Sequence, residues 1–121
     1  MDKADVQRWL DDYVAAWKSY DPEAIAALFA EDCEYRDRPH GDTVRGRDAI
    51  VRSWLEDDPD KPETYDASYV PFAVEGDAAV AVGTSSYTES ETVYDNCYLL
   101  RFDSQGRCAE FTEFFMKRPS E

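Results

Sequence analysis

The rhythm of apolar positions changes about halfway along the chain. In the first half they recur every three or four residues. Val6, Trp9, Leu10, Tyr13, Val14 and Trp17 make one such series, which predicts an amphipathic helix over about residues 3–19. Asp21-Pro22 marks a second helix start, because Asp caps and Pro suits the first helical position. Ile25, Leu28 and Phe29 are then its buried side, and residues 32–38 read as a strand. Gly46 precedes a third helix with the apolar stripe Ile50, Val51, Trp54 and Leu55. The prolines and charges of EDDPDKPE, 56–63, mark a loop.

After that loop the apolar residues alternate. Tyr65 to Val74, Ala78 to Tyr87, Thr92 to Phe102 and Arg107 to Met116 read as strands. Glu75-Gly76-Asp77 and Asp103-Ser104-Gln105-Gly106 are the tight turns that join the outer pairs. Three helices followed by an antiparallel meander predict an α+β domain with the helices packed on one face of the sheet. With 121 residues, no internal repeat and no low-complexity tract, the whole chain, 1–121, reads as a single domain. The closing KRPSE is expected to be a loose tail.

Composition adds limits. A hydrophobic content of 43%, with 14% aromatics, is enough for a core and argues against disorder. A formal net charge of −14 makes nucleic acid or an anionic membrane an unsuitable partner, since both repel such a surface. No apolar run is long enough to span a bilayer and the N-terminus is polar, so the expected location is cytoplasmic. Cys33, Cys97 and Cys108 are odd in number and lack CxxC spacing, which suits small buried hydrophobes in a reducing compartment. One histidine, His40, does not make a multi-histidine metal site, and no ligand spacing points to a metal.

Two phrases carry a family resemblance. LFAEDCEYRD, followed by GRDAIVRSW, resembles the helix-to-strand junction of SnoaL-like domains in the nuclear-transport-factor-2-like superfamily. LLRFDSQGRCAEFTEFF resembles the closing hairpin of the same domains. The resemblance covers nearly the whole chain. It implies a cone: a cystatin-like α+β barrel in which a strongly curved antiparallel sheet wraps around the N-terminal helices. It also implies a pocket between sheet and helices, and a homodimer formed through the outer face of the sheet. The fold hosts isomerases, cyclases, hydrolases, dehydratases and binding proteins, so it does not name a reaction.

Matching the hairpin to the ketosteroid isomerases of that superfamily puts one face of each late strand inside the cone. Tyr94, Asn96, Tyr98, Leu100 and Phe102 share a face, as do Ala109, Phe111, Glu113 and Phe115. The resemblance adds Tyr13 and Trp17 from the first helix and Trp54 from the third. Asp37 then stands where the isomerases keep their base, with Tyr13 and Tyr98 as hydrogen-bond donors to a carbonyl oxygen. The isomerases combine a base aspartate with a tyrosine and a protonated aspartic acid, and Tyr98 replaces that acid here. His40 lies just beyond Asp37 and is a candidate second acid or base for a cyclase-type reaction. Trp17, Trp54, Asn96, Phe111, Glu113 and Phe115 are the candidate ligand-binding residues. The implied partner is a small apolar or aromatic molecule, and the chemistry is acid–base catalysis with no cofactor.

Each residue also has a structural reading. Tyr13 fits a core stripe. Asp37 lies in EYRDRPHGD and can pair with Arg36, Arg38 or Arg47 at the rim. Asn96 and Tyr98 can satisfy each other or the backbone. Glu113 lies between apolar neighbours on both faces, so it is a buried functional acid, a salt-bridged one, or an outward residue if a bulge reverses the parity. The acidic residues Asp2, Asp5, Asp11 and Asp12 read as a solvated helix face. A hydrolase with an aspartate–arginine–aspartate site is a further family option, with Asp95 and Arg101 on one strand face. A non-catalytic binding or dimerisation module is the alternative to an enzyme.

Overall fold

The computed structural model describes residues 1–36, 42–57, 65–87 and 91–119. Helix α1 spans Lys3–Ser19 and α2 spans Pro22–Leu28. Asp2 caps α1: its side chain accepts from the Asp5 backbone N–H, and the Asp5 carboxylate accepts from that of Asp2. Two of the four acids read as a solvated face therefore satisfy the helix's orphan donors. Tyr20 closes α1 in the left-handed conformation, and its N–H reaches the Ala16 carbonyl. Asp21 caps α2 with Pro22 in its first turn.

Phe29 ends α2 rather than lying on its buried side. It begins strand β1, Phe29–Arg36, three residues before the strand start expected from the pattern. Ala30 and Phe29 are both buried there, so the alternation that signals a strand is absent from its first residues. A two-residue strand β2, Val44–Arg45, is too short to leave a periodic trace. Helix α3 follows over Arg47–Asp57, and then β3 (Tyr65–Glu75), β4 (Ala78–Tyr87), β5 (Thr92–Phe102) and β6 (Cys108–Lys117).

The sheet has six strands in the order β2-β1-β6-β5-β4-β3. From β3 to β6 it is an antiparallel meander. One pairing departs from the antiparallel expectation: β1 runs parallel to β6, because the chain passes from the first strand to the last through α3 and the whole meander. That pairing shifts register between Phe29 and Glu34, β3 shifts between Pro71 and Ala73, and β5 against β6 between Arg101 and Phe102. Such irregularities bend strands and increase twist, which curves the sheet around the helices.

The concave face and the helices enclose one core. Val6, Leu10, Ile25, Phe29, Ile50, Trp54, Tyr98 and Phe111 are nearly inaccessible to water. The expected loose tail is partly tied down. Lys117 closes β6, and Arg118 donates to Asp95 through Nε at 2.9 Å and Nη2 at 2.7 Å. Its backbone N–H also donates to the Val93 carbonyl at 2.9 Å. Among the described residues no helix is long and apolar enough to cross a membrane.

Candidate functional site

The concave face is built by alternation. On β5 Asn96, Tyr98, Leu100 and Phe102 are buried, and on β6 Phe111 is buried opposite Leu100. Glu113 pairs with Tyr98 and Phe115 with Asn96, so both share this inner face. No bulge intervenes between Phe111 and Phe115, and the parity expected from the sequence holds for all of them.

Tyr13 is the centre of what these strands enclose. It projects from α1 and is 3% exposed. Its ring stacks on Phe111 at 5.7 Å and on Trp9 at 5.5 Å. It meets Trp54 edge-on at 5.5 Å and Tyr98 at 5.7 Å. Burial pushes the Tyr13 phenol well above its ordinary pKa of 10.0, and neighbouring Tyr98, Tyr35, Glu113 and Tyr69 push it further. The phenol therefore stays protonated, a hydrogen-bond donor in dry surroundings.

Tyr35 and Tyr69 are members of this group that pattern reading missed. Tyr35 stacks on Phe111 at 4.5 Å, and Tyr69 meets Tyr98 edge-on at 5.0 Å. Each stands at an inward position of its strand, a signal present in the alternation of Cys33 with Tyr35 and of Ala67 with Tyr69. The Trp54 indole stacks on Trp17 at 4.2 Å. Its buried N–H has no hydrogen-bond partner among the described residues.

A chain of polar side chains crosses the same face. The Ser85 hydroxyl donates to Asn96 Oδ1 at 3.0 Å, and Asn96 Nδ2 donates to Glu113 Oε2 at 2.9 Å. Ser85 and Asn96 are both buried. Asn96 thus answers to Ser85 and Glu113, and Ser85 is a third residue that pattern reading did not single out. Burying an amide without partners costs about 1–3 kcal/mol, so this chain orients Glu113 at little expense.

Exposure rises along β6, from Phe111 at 0% to Phe115 at 43%. The end of the sheet around Phe115 is therefore the open end of the cone. There Tyr94 meets Phe115 at 5.8 Å and Tyr87 at 5.9 Å, while Trp17 meets Tyr20 at 5.9 Å. Burial raises the Tyr87 phenol, with Tyr69, Glu113, Tyr94 and Tyr20 adding to the effect.

Strand β1 ends at Arg36, and Asp37 and His40 lie outside the described residues. Arg36, one of the expected partners of Asp37, donates to Glu34 at 3.0 Å. Asp95 and Arg101 are not brought together: Asp95 binds Arg118, and Arg101 pairs with Asp77 at 3.1 Å and Glu110 at 3.6 Å. All of these lie at the exposed surface, which removes the support for an aspartate–arginine–aspartate site. Cys33 and Cys108 are buried, and the three cysteines are free. Among the described residues no group of three or more His, Cys, Asp or Glu side chains is placed to hold a metal ion.

An open, curved sheet packed on three helices is the fold of nuclear-transport-factor-2-like proteins. The SnoaL-like domain family matches residues 10–111, and the chain belongs to that family. Solved structures agree. An NTF2-like protein of unknown function from Burkholderia xenovorans LB400 shares 19% identity at a TM-score of 0.74, covering 98% of this chain and 87% of that one. A ketosteroid isomerase-like protein from Kribbella flavida DSM 17836 shares 17% identity at 0.73, over 99% of this chain and 84% of that one. An NTF2-like protein of unknown function from Mesorhizobium loti shares 21% identity at 0.70, over 94% and 93%. At these identities the similarity is one of fold alone. No curated protein matches the sequence.

Proposed function

We propose that this SnoaL-like protein binds a small apolar or aromatic carbonyl compound in its cone and performs cofactor-free proton transfer on it, of isomerase or polyketide-cyclase type. The observation that carries the reading is the position of Tyr13. Its phenol is held protonated within a dry cluster that also includes Tyr98 and feels the Glu113 carboxylate. In such surroundings phenols donate strongly to an oxygen that gains negative charge. Tyr13 and Tyr98 stabilise the enolate, Asp37 takes the proton, and His40 serves as a further acid or base. Trp17, Trp54, Asn96, Phe111, Glu113 and Phe115 hold the ligand. The fold is one that a ketosteroid isomerase-like protein shares, so it can house a reaction of this class.

The test is hydrogen–deuterium exchange at the α-carbon of a cyclic enolisable ketone, followed by proton NMR in D2O. Wild-type protein accelerates exchange over buffer. Asp37→Asn removes about 10²–10⁴-fold, the usual contribution of a general base. Tyr13→Phe lowers the rate by about 10²-fold with folding intact. Ketone binding without accelerated exchange would leave a non-catalytic binding module. The close ring packing around Tyr13 favours that second reading, because it gives the residue a structural role as well.

The proposal includes a homodimer formed through the outer face of the sheet. Val70, Leu99, Phe114 and Met116 are exposed there, with Phe72 at the β3 bulge 70% accessible. A groove of about 650 Å³, lined in part by Ala73, Val80, Leu99 and Thr112, opens on the same face. Apolar area of this kind on one face of a sheet suits a protein partner.

A further inference from the structure

Two buried thiols stand where β1 leaves its regular pairing with β6. That ladder joins Phe29 to Cys108 and then Glu34 to Glu110, so Ala30 to Cys33 lie against Ala109 alone. Against β5, Arg101 pairs with Glu110 and Phe102 with Cys108, which makes Ala109 the extra residue of a bulge. The bulge sets Cys108 beside buried Phe102, and Cys33 is two positions from inward Tyr35, so both sulfurs belong to the core side. Cys33 and Cys108 are both fully buried. Each thiol donates to a carbonyl of its own strand: Cys33 to Glu34 at 3.6 Å, and Cys108 to Glu110 at 3.1 Å. Glu34 and Glu110 are register partners, and the two thiols also hydrogen-bond with each other. Cys97 is set apart, on the outer face of β5 with Leu99.

Two thiols already in contact reach disulfide geometry with little movement of the chain. Burial pushes the Cys108 thiol well above its ordinary pKa of 9.0, and Cys33 adds to the effect, so the pair rests protonated and reacts slowly. Access comes from the interrupted ladder. Glu31 and Asp32, just before Cys33, are exposed, and among the described residues β1 pairs with β2 at Glu34 and Tyr35 only. A segment with few ladder bonds opens locally at lower cost than the rest of a sheet. We propose that Cys33 and Cys108 are a redox pair that a hydroperoxide closes to a disulfide, tying β1 to β6. One sulfur gives up its proton and attacks a peroxide oxygen; the O–O bond breaks, leaving a sulfenic acid and, from hydrogen peroxide, water. The second sulfur gives up its proton and attacks the first; the S–S bond forms, the S–O bond breaks and a second water leaves. The thiols are oxidised by two electrons and the peroxide is reduced by two. The inference holds whether or not the cone takes a ligand.

The test treats the folded wild-type chain with hydrogen peroxide, alkylates the remaining thiols in denaturant with iodoacetamide, and maps the cysteine peptides by mass spectrometry. Met116, 73% exposed, is the internal clock, because its conversion to sulfoxide reports that the peroxide has acted. By the time Met116 is oxidised, the Cys33 and Cys108 peptides are expected to be joined, about 2 Da lighter than their sum. Cys97 stays outside that bond, and dithiothreitol restores both thiols. The bond closes a long loop, so the oxidised protein is expected to melt about 5–15 °C higher than the reduced one. Cys33→Ala and Cys108→Ala are expected to lose that rise; should neither fold, the wild-type map and melt decide. Cys33 and Cys108 both still open to alkylation once Met116 is fully oxidised overturns the proposal. So does a disulfide that joins either of them to Cys97, or a melting temperature that the Cys33–Cys108 bond leaves unchanged or lowers.

Discussion

At the residue scale, Tyr13 joins packing and chemistry in one side chain. The rings around it exclude water, and that exclusion keeps its phenol neutral. A titration consequence follows. In the unfolded chain the phenol ionises near its ordinary value of 10.0, while in the fold it does so well above that. The folded state then binds more protons above pH 10, so stability is full below about pH 10 and falls as pH rises beyond it. One such group contributes a slope of about 1.4 kcal/mol per pH unit. Thermal melts from pH 8 to pH 11.5 are expected to show Tm declining more steeply for wild type than for Tyr13→Phe. Equal slopes would mean that Tyr13 ionises freely in the fold. That Tyr13 is inward was legible from the helical stripe. The family resemblance brought Tyr98 to its side, but Tyr35 and Tyr69 were not legible as neighbours, because they come from two further strands far apart in sequence.

At the element scale, the close approach of β3 to β4 depends on a missing side chain. Gly83 on β4 lies opposite Tyr69 on one side and Asn96 on the other. A Cβ there would stand 2.0 Å from the Ser68 carbonyl oxygen and 2.8 Å from Tyr69 Cα. Both are backbone atoms of β3, so relief requires the strand itself to move. Glycine inside a strand commonly marks such close approach. Gly83→Ala is expected to destabilise the protein by about 1–3 kcal/mol, the usual cost of overpacking. Chemical denaturation measures it, and a change under about 0.5 kcal/mol, the range of neutral surface substitutions, would show that β3 gives way easily. Because Tyr69 and Asn96 flank Gly83, the same variant is expected to shift the amide signals of both.

For the whole molecule, the sheet separates two kinds of surface. Its concave face meets the helices and carries the polar chain. Its convex face leaves Leu99 44% and Met116 73% exposed, and Phe72 at the β3 bulge is 70% exposed. Light scattering on a sizing column is expected to give twice the 13.9 kDa chain mass. The double variant Phe72→Glu with Met116→Glu is expected to give the chain mass itself, since like charges brought together at an interface oppose association. A wild-type monomer at about 100 μM, far above the dissociation constant of a stable homodimer, would exclude the outer-face dimer.

Local rules were enough to specify most of the elements. Period and caps located α1 and the start of α2, and alternation with turn glycines located β4 and β5 to the residue. Alternation also assigned the inward faces of β5 and β6, because side-chain direction along a strand is a property of the backbone alone. Local rules failed where distant segments set the outcome. Phe29 joined a strand because β6 offers it a parallel partner 79 positions away, at Cys108. Arg118 is tied down by Asp95 across the sheet. Ser85, Asn96 and Glu113 became one hydrogen-bonded chain only when three strands were laid side by side. Sequence period reports which way a side chain points. Which side chains then meet is decided by strand order and register, and those are properties of the assembled sheet.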